Sequence, residues 1–213
     1  MSLASAVLSF AVLAGLLTVI PGLDTALVLR SALTQGKRPA FATALGITVG
    51  TLLWGAAAAV GVSALLLAST AAYTVVRVVG AAYMVFLGGR MVLMAVRRRA
   101  TVDAAAVPDN VTAPSVGRAW TRGLLTNLLN PKIGAFYVAV LPQFIPAGTS
   151  HLAVGVLLAL VHDVEGMLWF TAVIFGAASI RGWLLRRSAQ RAVDGTTGVA
   201  LIGFGVKLGL SAR

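Results

Sequence analysis

An aspartate and a Pro-Gly pair interrupt the first apolar segment of the sequence. The stretch GLLTVIPGLDTALVLR, residues 15–30, contains Pro21, Gly22 and Asp24 within an otherwise apolar run. Proline removes a backbone hydrogen-bond donor, and a carboxylate deep in a lipid bilayer costs ~2.5 kcal/mol or more. A membrane helix keeps such residues where they face protein or water, so this stretch is a candidate binding site.

A second interruption, NLLNPKIGAF at 127–136, has the same character. Asn130 supplies an amide, Pro131 frees a carbonyl one turn earlier, and Lys132 places an ammonium at a similar depth. Asn127, more than Asn130, is interpreted as satisfying loose backbone groups. Lys132 either binds a substrate or neutralises a carboxylate, and the two roles are compatible.

Two roles are open for Asp24. Its place directly after Pro-Gly predicts an N-cap whose carboxylate accepts the N–H of Ala26 or Leu27. A neutral Ser or Thr would cap the helix at a lower desolvation cost, so a further role in binding a substrate or a proton is equally open.

A third polar cluster lies in LVHDVEGMLWF at 160–170. His162, Glu165 and Trp169 share one helical face, and Asp163 lies about 100° from His162 by the 3.6-residue repeat. These polar residues are costly at the centre of a membrane span unless they face protein or water.

The cluster is interpreted as a proton relay, or as pairing with Arg77 or Lys132. For Asp163 a hydrogen bond to a neighbouring helix is the alternative. A divalent-metal site ranks lower, because His and Glu at i and i+3 are weak evidence for one, and no metal site is predicted.

The composition places these interruptions in membrane helices. Hydrophobic residues make up 59% of the 213 residues, charged residues make up 11%, and the mean hydropathy is +0.94. This predicts an all-α integral membrane protein. Apolar stretches, most of them at or beyond the ~20 residues that cross hydrocarbon, predict six transmembrane helices at 3–34, 40–68, 71–96, 123–141, 152–180 and 195–210.

The distribution of the basic residues behind the net charge of +11 indicates membrane topology rather than binding to nucleic acid. Basic residues concentrate in the links after spans one, three and five: Lys37, Arg38, Arg97, Arg98, Arg99, Arg118, Arg122, Arg181, Arg186, Arg187 and Arg191. The positive-inside rule therefore predicts that these links of the multi-pass protein are cytoplasmic and that both termini are outside.

Four matches keep the same order in the two halves of the chain: GLLT at 15–18 and 123–126, the prolines at 21 and 131, LW at 53–54 and 168–169, and GAAYMVF from 80 with GVALIGF from 198. We expect a first three-helix unit at 1–96, a cytoplasmic connector at 97–118 and a second unit at 119–213. Three spans is an odd number, so the repeat is inverted, and proline breaks the first helix of each unit.

Motifs spread over the chain carry a family resemblance: PGLDTALVLR with QGKRPAFATALGITVG, GAAYMVFLGGRM, NPKIGAFYVAVLPQF and GVALIGFGVKL. Together they resemble the LysE/RhtB family of bacterial amino-acid exporters, with the RhtB branch the closer likeness. The resemblance implies efflux of amino acids or their analogues across the bacterial inner membrane, driven by the proton gradient as an antiport.

Particular residues match the family pattern, and one departs from it. The first break in the family reads Pro-Gly-Pro followed by Asp, Asn or Gln, and here Leu23 replaces the second proline, which leaves open whether the break is softened. The second break matches Asn-Pro-Lys, and the residues at 142–144 match the turn that closes that helix.

The substrate site is expected between the two breaks. An amino-acid carboxylate would meet Lys132 and the helix N-termini, and its ammonium would meet Asp24 or Glu165. The predicted substrate-binding residues are Pro21, Gly22, Asp24, Thr25, Asn130, Pro131, Lys132 and Glu165. The candidates for proton coupling are Asp24, His162, Asp163 and Glu165.

Two other functions were weighed against amino-acid export. Efflux of a metal cation is the alternative within transport. A membrane-embedded enzyme is disfavoured, because the only histidines are His151, in a predicted loop, and His162, and the chain has no His-x-x-x-His motif. No cofactor is predicted, the expected partners are an amino acid, protons and lipid, and a homo-oligomer is left open.

Overall fold

The computed structural model of the protein describes residues 2–20, 22–97, 115–179 and 187–210. Pro21 and the greater part of the predicted connector lie outside these ranges. Within them the chain is helical and contains no strand. The helices are α1 (Leu3–Val19), α2 (Leu23–Thr34), α3 (Lys37–Ala68), α4 (Thr70–Arg97), α5 (Val116–Leu128), α6 (Pro131–Ala139), α7 (His151–Phe175) and α8 (Arg187–Leu210).

Polar side chains mark the starts of several helices. Ser2, Ser115 and Ser150 each accept a backbone N–H from the residue three positions later, and Asn130 Oδ1 accepts the N–H of Lys132 at 3.1 Å. Asn130 thus pairs with a backbone N–H, which is one of the roles that the sequence left open for it. Ser115 caps α5, so residues 116–118 of the predicted connector are helical.

Both breaks are present as sharp bends. The angle between α1 and α2 is 52°, and α5 and α6 bend by 54°. The two angles are nearly equal, so Leu23 in place of a second proline does not remove the first break. A short 3₁₀ turn at Leu141–Phe144 follows α6 and confirms the turn predicted at 142–144.

Length and apolar composition identify membrane spans among these helices. In the described ranges, Lys37–Gly61 and His151–Phe175 are each long and apolar enough to cross a bilayer, and each bent pair supplies one more span when its two helices are counted together. Up to four spans are therefore supported by the described residues. In α4, the shorter stretch Val78–Arg90 is apolar.

Glycines bring α3 and α5 into close contact. The Cα of Gly46 faces the backbone carbonyl of Trp120, and Gly123 faces the carbonyl of Thr43, so neither position has room for a Cβ. Gly50, one turn after Gly46, lies against the next part of α5. The Gly46-x-x-x-Gly50 pattern thus serves close packing of α3 against α5.

Two apolar clusters flank the space between the breaks. In the first, Phe10 of α1 lies 5.6 Å from Phe136 of α6, centroid to centroid, and packs in the same cluster as Leu158 of α7. In the second, Val28 of α2 packs with Phe170 of α7. Members of both clusters, Phe170 among them, line the same cavity as the polar residues of the breaks.

Candidate functional site

A cavity of about 40 Å³ lies where the two breaks meet, and we call it the central pocket. Residues from six helices or their ends line it: Leu17, Thr18, Ile20, Gly22, Asp24, Thr25, Ile47, Thr48, Thr51, Asn127, Asn130, Lys132, Ile133, His162, Asp163, Gly166 and Phe170. The two breaks, more than 100 residues apart in the chain, therefore share one site.

Asp24 is buried and bonds across the pocket rather than to its own helix. Its Oδ2 accepts a hydrogen bond of 2.9 Å from Nδ2 of Asn127, which also lies 3.4 Å from the Thr51 hydroxyl. The N-cap of α2 is Gly22, which has no side chain to cap with. The predicted capping role of Asp24 is wrong, because α2 begins at Leu23 and the carboxylate already lies inside the first turn. The backbone role predicted for Asn127 is also wrong, because its side-chain amide donates to the Asp24 carboxylate.

Lys132 joins the second break to the first. Its Nζ donates hydrogen bonds of 3.0 Å to the carbonyl of Leu17 and 3.2 Å to that of Ile20. These carbonyls belong to the end of α1, where a helix leaves its last acceptors unpaired and carries partial negative charge. The ammonium also lies beside Gly22, 3.5 Å from where a Cβ would be.

Side chains of α7 complete the pocket. His162 Nδ1 lies 3.0 Å from the hydroxyl of Tyr137, and the two rings stack. Trp169 Nε1 donates to Thr25 Oγ1 at 3.3 Å. Asp163 lines the pocket beside His162, so the two face it together despite their angular separation on α7. Nothing in the sequence singled out Tyr137, whose role depends on α6 packing against α7.

Not every predicted site residue reaches the pocket. Glu165 is outside its lining, and its carboxylate packs against Gly15 of α1, with Oε1 3.5 Å from where a Cβ would be. Pro131 begins α6 but does not line the pocket. Pro21 and the side chain of Arg77 lie outside the described residues.

Four oxygen atoms in the pocket are buried without a hydrogen-bond partner: Thr18 Oγ1, Asp24 Oδ1, Asn127 Oδ1 and Asp163 Oδ2. A buried polar atom left unpaired costs ~1–3 kcal/mol, so a ligand that donates hydrogen bonds would recover that cost. Neither Thr18 nor Thr51 could be identified as a pocket residue from the sequence, because a threonine in an apolar helix resembles any other small residue there.

Metal ligation finds no support among the described side chains. No group of three or more His, Cys, Asp and Glu residues within them is arranged to hold a metal ion. Asp24 instead accepts a hydrogen bond from the amide of Asn127, and His162 lies beside the Tyr137 hydroxyl.

The apolar helices, two of them bent pairs, and the polar cavity between them are features of an integral membrane protein. The model of the family described as LysE type translocator matches residues 4–212, and the chain belongs to this family. Membership makes it a membrane translocator rather than an enzyme.

Individual relatives cover most of the chain. It is 31% identical over 194 residues to the threonine efflux protein of Escherichia coli (strain K12), covering 90% of this chain and 91% of the relative. It is 27% identical to the leucine efflux protein of Enterobacter sp. (strain 638), with 90% and 89% covered. It is 29% identical to the uncharacterized membrane protein YrhP of Bacillus subtilis (strain 168), with 96% and 98% covered. No solved structure matches the chain.

Proposed function

We propose that this protein is a secondary-active exporter that carries an amino acid out of the cytoplasm in exchange for protons. Relatives over about nine-tenths of the chain are named threonine and leucine efflux proteins, which supports an amino acid as the substrate. The observation that carries the proposal is the central pocket, where one ammonium and two carboxylates converge on two helix breaks.

The charges of the pocket are complementary to a zwitterion. The substrate ammonium would donate to the unpaired oxygens of Asp24 and Asp163, which need donors. The carboxylate would bind Lys132 and the first N–H groups of α2, where Gly22 provides no side-chain cap. Asp163 replaces Glu165 as the second proposed partner of the substrate ammonium, because Glu165 does not line the pocket.

The pocket must widen for transport. Its volume of about 40 Å³ holds only a few water molecules, so an amino acid enters only when the surrounding helices separate. We propose that two inverted three-helix units, six spans in all, move against each other to open the pocket to one side at a time.

Proton coupling would use the same carboxylates. Protonation of Asp24 or Asp163 removes the negative charge that holds the substrate ammonium, so external protons favour release outside, and deprotonation inside restores binding. His162 and Glu165 are further proton-coupling candidates on the same helix, α7.

The proposal is tested by loading cells with dipeptides that contain threonine or leucine and measuring the free amino acid that accumulates inside. Cells that make the protein should accumulate less than cells without it. The Asp24→Asn variant keeps the side-chain shape and an acceptor for Asn127 but deletes the charge, and it should reduce efflux about 10- to 100-fold.

Asp109→Asn is the matched control, because it makes the same chemical change in the predicted connector. It should export at the wild-type rate when expressed at the same level. Equal accumulation with and without the wild-type protein would contradict the proposal for both amino acids. Wild-type export by Asp24→Asn would remove Asp24 from the site.

A further inference from the structure

A second polar cleft lies away from the central pocket, between α2, α5 and the first turns of α3. Its volume is about 220 Å³, several times that of the central pocket. Three arginines line it, Arg30 from α2 and Arg118 and Arg122 from α5, together with Ser31, Gln35 and Thr43. We call this the arginine cleft.

The cleft offers positive charge and hydrogen-bond donors. No acidic side chain is among the residues that line it, all of which the structure describes. Ser31 Oγ donates to Gln35 Oε1 at 2.9 Å, which leaves the Gln35 NH₂ group as a donor. Guanidinium groups bind carboxylate and phosphate through paired hydrogen bonds, so the cleft suits an anionic oxygen group.

The cleft and the central pocket lie along the same two helices. Ser31 follows Asp24 by seven residues on α2, roughly 10 Å along the axis. On α5, Arg122 lies five residues before Asn127 of the pocket. Between these positions along the two helices lie buried Val28 on α2 and Gly123 on α5, which contacts the Thr43 carbonyl. The cleft is next to the link that contains Lys37 and Arg38, which the charge pattern places in the cytoplasm.

We propose that the arginine cleft is an anion-binding site that captures the carboxylate of the amino acid before it passes to the central pocket. The identity of this anion rests on the proposed function, whereas anion binding itself does not. The phosphate of an anionic lipid has the same chemistry, and the test separates the two sources.

The test uses thermal unfolding of the full-length protein in a neutral detergent, titrated at constant ionic strength. The probe is N-acetylthreonine, which has a carboxylate but no ammonium, and its amide, N-acetylthreoninamide, is the uncharged control. The acid should raise the unfolding midpoint saturably, and the amide should not. Arg30→Gln, Arg118→Gln and Arg122→Gln should each weaken this binding about tenfold.

Arg38→Gln is the matched control, because Arg38 is exposed at the same end of the molecule but outside the cleft. It should bind like the wild type. The three arginines of the cleft are also exposed, so their replacement should leave the midpoint without ligand unchanged, and Arg122→Lys should restore part of the binding. Equal weakening by Arg38→Gln, or no saturable effect of either N-acetylthreonine or the anionic lipid phosphatidylglycerol in the wild type, would overturn the proposal.

Short-chain phosphatidylglycerol and phosphatidylcholine, titrated in the same way, identify the source of the anion. If only phosphatidylglycerol binds and the arginine variants lose it, the site stands and its anion is a lipid phosphate rather than the substrate carboxylate. Because the readout is unfolding, failure of the protein to export an amino acid would leave this result intact.

Discussion

Lys132 has two sets of acceptors within reach of the central pocket. In this conformation its ammonium binds the carbonyls of Leu17 and Ile20 at the end of α1. A substrate carboxylate is a stronger acceptor than a neutral carbonyl, so a bound amino acid would compete for the same donor. Release of the α1 carbonyls would then link substrate binding to movement at the first break.

Replacement of this lysine should affect stability as well as transport. Lys132→Met preserves bulk but leaves two part-buried carbonyls without their donor, at a cost of up to ~1–3 kcal/mol each. We expect a lower unfolding midpoint and loss of efflux. Asp24→Asn, which keeps the bond from Asn127, should lose efflux with little change in midpoint. Thermal unfolding in detergent and efflux from loaded cells measure the two properties, and a wild-type midpoint for Lys132→Met would contradict the role of Lys132 at the end of α1.

At the scale of elements, the contact between α3 and α5 sets the position of the second break. A Cβ on Gly123 would overlap the Thr43 carbonyl, which is backbone and cannot rotate away. Gly123→Ala should therefore push the helices apart and destabilise the protein by roughly 1–3 kcal/mol.

Gly117→Ala is the control on the same helix, because nothing lies within 4 Å of where its Cβ would be. It should be neutral or stabilise the protein by up to about 1 kcal/mol through helix propensity. The midpoints of thermal unfolding compare the two variants. Equal effects would mean that the close approach at Gly123 is not what holds α5 in place.

The contact between α3 and α5 separates what the sequence predicts from what it does not. The apolar pattern predicted where the helices lie, and Pro131 with Asn130 predicted where α6 begins. The bond from Asn127 to Asp24 could not be predicted, because it requires α5 to approach α3 at Gly50, where a Cβ would lie 2.6 Å from Asn127 Oδ1. Composition shows that glycines allow close packing but not which helices pack together.

At the scale of the whole molecule, the two breaks meet at one pocket, as the proposed substrate site between them requires. Lys132 after the second break holds the helix end before the first. Asn127 before the second break holds Asp24 after the first. The contacts thus run in both directions across the pocket, and movement of one bent pair must disturb the other.

The proposed export also depends on orientation in the membrane, because the arginine cleft and the basic links must then face the cytoplasm. The chain has no cysteine, so single cysteines at Ser69 and Thr101 can report on the two sides. Ser69 lies at the turn between α3 and α4, and Thr101 lies in the predicted connector.

A membrane-impermeant thiol reagent added to intact cells should label Ser69→Cys and not Thr101→Cys, because the positive-inside rule keeps the arginine-rich connector in the cytoplasm. After the cells are permeabilised, Thr101→Cys should react as well, which shows that its thiol is accessible. Labelling of Thr101→Cys alone in intact cells would invert the orientation. Labelling of both would mean that the number of spans between the two positions is even rather than the single span predicted for α4.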